Sequence, residues 1–327
     1  MLQPSPTRKR RGRLFRFGAA FVTLLAVAGY LVVQYVTGGT GAPGCKVVSG
    51  EDDGATYEFT PEQAVNAATI TAVGTARGVP ERAVTIALAT ALQESGLRNI
   101  RHGDRDSLGL FQQRPSQGWG TPKEIMDPTY AAGKFYDHLV KVPGYTRLPL
   151  TVAAQRVQRS GFPQAYAKHE PDATLLAAAL TGTSAATLTC DGRPAATRAA
   201  GPDAVRAALV RDFGRDALEP VGAEVSGSAA ATPSPSANAT GGGAGRTVTL
   251  PVTADTNPGA GRSLRERGWQ LAHWAVANAS ALHIQRVSYA GREWTAGNTD
   301  SQWRPTGAAG AQSGEKSGDS VRIVTAQ

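Results

Sequence analysis

Phe17 to Val36 is apolar over twenty positions, broken only by Thr23, Gln34 and small residues. A helix of that length spans roughly 30 Å, the hydrocarbon thickness of a bilayer, so the pattern predicts a membrane-crossing segment. Beyond it the apolar positions recur at helical spacing. Thr60-Pro61-Glu62-Gln63 combines an N-cap threonine, proline at the first helical position and glutamine at the third, predicting a helix to about Ala76, with Gly78 ending it. A second start at Pro80 leads into the stripe Val84, Leu88, Ala91 and Leu92, and Gly96 supplies a left-handed terminator. Further helices are expected near residues 130–141, 152–159, 173–180 and 202–213, with almost no alternating β-branched run before residue 190. The pattern changes after residue 245. An amphipathic helix through Leu264, Leu271, Trp274 and Asn278 precedes a hairpin, Ile284 to Tyr289 and Arg292 to Thr295, with residues 321–325 as a third strand. Residues 226–245 carry no charge and no large apolar side chain and read as a linker, and 306–319 read as disordered.

The fold class expected is therefore mainly α: a helical domain over residues 45–190 after an N-terminal transmembrane helix, a spacer with a short helix over 191–225, and a small α/β module over 246–327. Charge adds a direction. Seven basic residues, Arg8, Lys9, Arg10, Arg11, Arg13, Arg16 and Lys46, precede the first acid, Glu51, so nearly all of the net charge of +8 lies there. A nucleic-acid binder needs a basic face on its folded part, so that class is excluded. The basic residues 1–16 mark a cytoplasmic tail, and the chain after about residue 40 is expected outside the membrane. A retained anchor is the expectation and a cleaved signal, with secretion, the alternative, because a signal's apolar stretch runs only about 7–15 residues. In that compartment Cys45 and Cys190, the only two cysteines, are expected to pair and fasten the ends of the helical domain.

The chemistry-bearing residues follow the second helix. Glu94 falls two residues before Gly96, beside the apolar stripe, where partial burial and the negative end of the helix dipole both disfavour its ionised form. A glutamate whose pKa is raised in this way suits a general acid. The five histidines, His102, His138, His169, His273 and His283, show no metal-ligand spacing, and no glycine-rich phosphate loop precedes a helix, so no metal and no cofactor are implied.

Glu94-Ser95, then Gly109-Leu110-Phe111-Gln112, then the Asp127-Pro128-Thr129-Tyr130 helix start resemble the lysozyme-like lytic transglycosylase family over roughly residues 60–180. The run from Gly103 to Gly120 is similar to one in secreted actinobacterial proteins. The resemblance implies that Glu94 is the single catalytic acid/base, that Gln112 positions a sugar, and that the partner is the glycan strand of peptidoglycan. Ser107, Gln113 and Gln155 complete the expected substrate-binding set, together with Phe111 and Trp119, which either stack on sugar faces or belong to the core.

Two departures from the family pattern stand out. Gly103 occupies the region where a serine is expected, and Gln155 stands where the family places a tyrosine. Asp104 and Asp106 keep a two-carboxylate muramidase open, or else are loop residues paired with Arg101, Arg105 or Arg114. A wall-binding scaffold that keeps the cleft without turnover is the alternative from another class, and the altered motif at Gln155 favours it. Residues 269–305, with V-x-Y-x-G-R-x-W and W-R-P, look like a small domain appended to actinobacterial wall-associated proteins and read as a binding or structural module.

Overall fold

The computed structural model describes residues 44–51, 53–160, 163–195, 201–215, 246–253, 261–297, 302–306 and 319–326. The expected transmembrane segment 17–36, the basic tail, the linker 226–245 and most of the stretch 306–319 lie outside them. Among the described residues, no helix is long and apolar enough to cross a membrane.

Helix α1, Pro61–Ala76, starts at the expected capping box: Thr60 accepts from Gln63 N and the Gln63 side chain accepts from Thr60 N. Helix α2, Glu81–Ser95, has Ala83 to Leu92 buried without interruption, so it runs through the core and not along its surface. Small residues let α1 pack closely. A Cβ on Gly74 would stand 2.6 Å from Tyr136 Oη, which donates to Ile70 O. Helices α3 (Pro122–Ile125), α4 (Pro128–Leu139), α5 (Leu150–Gln158) and α6 (Glu170–Thr181) follow, with a 3-10 turn at Pro163–His169 before α6. Asp127 caps α4 by accepting from Thr129 N and Tyr130 N.

The region up to residue 190 is not all helical. Strands β1 (Cys45–Val48), β2 (Thr56–Phe59) and β3 (Leu188–Cys190) form an antiparallel sheet in the order β2-β1-β3. Each is too short to show an alternating pattern. Their pairing is long-range: Cys45 stands opposite Cys190, and the two form a disulfide across a sequence separation of 145. The expected bridge is present.

After α7 (Pro202–Phe213), strands β4 (Thr247–Pro251), β5 (Ile284–Tyr289), β6 (Arg292–Thr295), β7 (Arg304–Pro305) and β8 (Ser320–Thr325) form a second antiparallel sheet, ordered β4-β8-β5-β6-β7. The hairpin and the strand at 321–325 stand as expected; β4 and β7 add two strands that the sequence pattern does not announce. Helix α8, Leu264–Ala277, packs between this sheet and the first group of helices, and the short α9 spans Ala279–Leu282.

The boundary expected at residue 190 does not divide two cores. One cluster of buried side chains runs from Cys45 through Leu88 and Trp274 to Ile323. Polar contacts reinforce it. Gln270 Nε2 donates to Thr75 Oγ1 at 2.7 Å, and Trp274 Nε1 donates at 2.8 Å to Asp212 Oδ2, a fully buried carboxylate that also accepts from Thr69 and Arg211. His273 Nδ1 lies 2.7 Å from Ala179 O, and burial pushes its pKa down to about 4, so the ring is neutral and donates there. The indoles of Trp294 and Trp303 donate to the carbonyls of Cys190 and Leu188, so the C-terminal segment also satisfies strand β3.

Closing a loop of this length stabilises a chain by about 4–5 kcal/mol in the chain-entropy account. The oxidised protein should therefore weigh two mass units less than the reduced one and melt at a markedly higher temperature. Equal melting of the two forms would show that the bridge contributes nothing.

Candidate active site

The site begins where α2 ends. Gly96 and Leu97 both adopt left-handed backbone, φ 62° and 58°, and their amides return to Leu92 O and Ala91 O. Two side chains of α1 fix the exit: Gln63 Nε2 donates to Gly96 O and Asn66 Nδ2 to Leu97 O, each at 2.8 Å. Gln63 thus serves the start of one helix and the end of the next. Ser95, buried, donates through Oγ to Leu110 O at 2.8 Å and ties the helix end to the Gly109-Leu110-Phe111-Gln112 loop. A bridge between Leu108 and Gln113 closes that loop.

Glu94 sits in the last turn of α2, half-buried. Tyr166 Oη donates to Glu94 Oε1 at 2.7 Å. Burial raises the Glu94 pKa above the ordinary glutamate value, and hydrogen bonding from Tyr166 and Gln158 opposes the rise without cancelling it. Burial, with the neighbouring Glu94 charge, raises the Tyr166 pKa, so the phenol stays a neutral donor. Gln158 Nε2 also donates to Phe111 O at 2.8 Å, a second link between the acid and the loop. Beside them His169 Nε2 lies 3.2 Å from Gln93 Oε1.

The expected substrate-binding residues separate. Gln112 is half-buried in a left-handed backbone, φ 48°, and Ser107 is buried in the same loop. Trp119 is half-buried, edge-on to His138 with ring centroids 4.3 Å apart. Phe111 takes the core alternative, and Gln113 needs correction. Phe111 is fully buried and stacked on Phe135, so it presents no face to a sugar. Gln113 is 1 % exposed and donates to Ala131 O, holding the loop to α4. Gln155 donates to Ser160 O and ties down the segment after α5.

The two aspartates divide as well. Asp106 is paired with Arg114 at 2.8 Å and accepts from Ser116 N; these bonds hold its carboxyl well below the usual range. Asp104 is exposed, with Arg105 Nε 4.0 Å away. Among the described residues, no group of three or more His, Cys, Asp or Glu could hold a metal ion.

Tyr166 is the site residue that the sequence does not disclose. The linear motif points to position 155 for a tyrosine, but the phenol comes from the 3-10 turn at Pro163–His169, and only the packing of that turn against α2 reveals it. Of the seven non-glycine residues with positive φ among the described residues, Leu97 follows the end of α2, Gln112 lies on the loop tied to it and Arg159 follows Gln158.

A family model described as VldE, C-terminal domain, matches residues 225–316, so that stretch is similar to this domain. No curated protein matches the chain. The matched stretch follows the Glu94 site in sequence and contains α8 and the β5–β6 hairpin.

Tyr166→Phe removes a donor that favours charged Glu94, so the Glu94 pKa should rise further. Titrating the carboxyl by carbon-13 NMR checks this; an unchanged or lower value would show that the phenol does not bond the acid in solution.

Proposed function

We propose that the protein cleaves peptidoglycan glycan strands outside the cytoplasm by a single-carboxylate, lytic transglycosylase mechanism. The observation that carries this reading is the half-buried Glu94, its pKa raised by burial, bonded to Tyr166 at the end of a rigid helix. The protonated carboxyl of Glu94, held through Oε1 by Tyr166, carries the proton. Glu94 gives that proton to the glycosidic oxygen as the bond to the muramyl anomeric carbon breaks, and the carboxylate so formed is stabilised by the phenol. As base it then takes the proton of the muramyl C6 hydroxyl, whose oxygen bonds the anomeric carbon and closes an anhydro ring. The acid is regenerated and no water is consumed.

Two further observations support this route over its rivals. A muramidase of this architecture needs a second carboxylate, and Asp106 is committed to Arg114 and Ser116 while Asp104 is an exposed loop residue. The scaffold reading draws on the glutamine at position 155, yet a tyrosine reaches Glu94 from another element. The extracytoplasmic placement rests on the basic cluster and the apolar run 17–36, and the Cys45–Cys190 bridge accords with it.

The test is digestion of purified sacculi with residues 45–327, with products identified by mass. Anhydro-muropeptides are expected. Reducing ends would identify a muramidase, and no products a scaffold. Glu94→Gln should keep the fold and lower the rate by about 10²–10⁴-fold, the usual worth of general acid–base catalysis. A variant that cuts at the unvaried rate would remove Glu94 from the mechanism.

A further inference from the structure

Gln112 keeps a backbone that side-chain-bearing residues rarely adopt, φ 48°, on a loop tied to Glu94 through Ser95 and Gln158. Its amide nitrogen donates to Gly109 O at 3.3 Å, which curls the side chain back over its own loop. The amide end then lies over the α-carbon of Gly103. A Cβ on Gly103 would overlap Gln112 Oε1 and stand 2.7 Å from Cδ, with Ser107 Cβ 3.1 Å away. These are its three nearest neighbours, so the space at Gly103 is filled by Gln112 and bordered by Ser107. Gly103 is exposed and is not among the glycines with positive φ. Neither burial nor backbone conformation selects glycine there; the space that a side chain at 103 would enter is taken by the Gln112 amide.

The geometry points to Gly103 as a positioning residue. Its missing side chain leaves the seat in which the Gln112 amide lies, and binding of an acetamido-sugar strand depends on that seat. The inference rests on the reading of Glu94 as a glycan-cleaving acid, because that reading supplies the sugar. A residue larger than glycine displaces the amide without disturbing the buried helix end. The departure in the sequence, glycine where the family pattern has serine, thereby acquires a steric role: position 103 supports Gln112 by absence.

The test is a double-mutant cycle built on Glu94→Gln, so that nothing is turned over, with N-acetylchitotetraose binding measured by calorimetry and melting followed in parallel. Gly103→Ala should weaken binding about tenfold, the worth of one misplaced hydrogen bond, and Gln112→Ala by a similar factor. The double variant should bind no worse than Gln112→Ala alone, because alanine at 112 vacates the space a Cβ at 103 needs. Melting of Gly103→Ala should match the parent's. The inference is overturned if Gly103→Ala binds like the parent, if the two losses multiply in the double variant, or if the parent does not bind the tetrasaccharide. If Gly103→Ala melts early and Gln112→Ala restores its melting without any binding loss unique to Gly103→Ala, the contact is structural only and the inference fails. Intact sacculi after digestion with the unvaried protein would sink the cleavage reading, whereas the binding cycle decides the role of Gly103 by itself.

Discussion

A helix buried along its length must end inside the protein, where its last carbonyls and the chain that leaves it need hydrogen-bond partners. Helix α2 meets this requirement with a left-handed turn at Gly96 and Leu97 and with amides from Gln63 and Asn66 on the outgoing carbonyls. The same fixed exit determines where Glu94 sits, in the last turn and half-buried, and where Ser95 reaches the loop carrying Gln112. Burial of the helix raises the Glu94 pKa, and the rigidity of its end places Oε1 against Tyr166. The proposed chemistry depends on the way this one helix stops.

The second constraint is that the N-terminal helices do not complete their own core. Strand β3 is buried, and its carbonyls at Leu188 and Cys190 accept from Trp303 and Trp294, more than one hundred residues away in sequence. Helix α8 seats Gln270, His273 and Trp274 on Thr75, Ala179 and Asp212. A segment that looks like an appended module is thus part of the scaffold behind the site. The disulfide holds β1 to β3 at the same seam.

Local signals make much of this legible in the sequence. The capping box at Thr60, the glycine terminator at Gly96, the helix Pro202–Phe213 and the hairpin Ile284–Thr295 are each written in a few adjacent residues, and they stand where expected. Features made by pairing distant segments are not legible. Strands β1, β2 and β3 are three or four residues long, and β4 pairs with β8 from the far end of the segment. Within the site, Glu94 is legible because Glu94-Ser95 stands in combination with Gly109-Leu110-Phe111-Gln112 and the Asp127 helix start; a glutamate in the last turn of a helix is ordinary by itself. Tyr166 is not, because nothing local distinguishes a tyrosine in a 3-10 turn. Phe111 and Gln113 look like cleft residues from their neighbours in the motif, whereas their side chains turn inward to Phe135 and Ala131 O.

The central claim is that Glu94 is the proton donor and that its ionisation limits the reaction. The most direct test compares two curves on the same protein: the pH dependence of glycan cleavage and the titration of the Glu94 carboxyl by carbon-13 NMR, assigned with Glu94→Gln. The acid form is lost as pH rises through its pKa, so the account predicts that the alkaline fall in rate coincides with a Glu94 titration above the ordinary glutamate range. A Glu94 carboxyl that titrates at or below that range, with cleavage persisting after it has ionised, would contradict it.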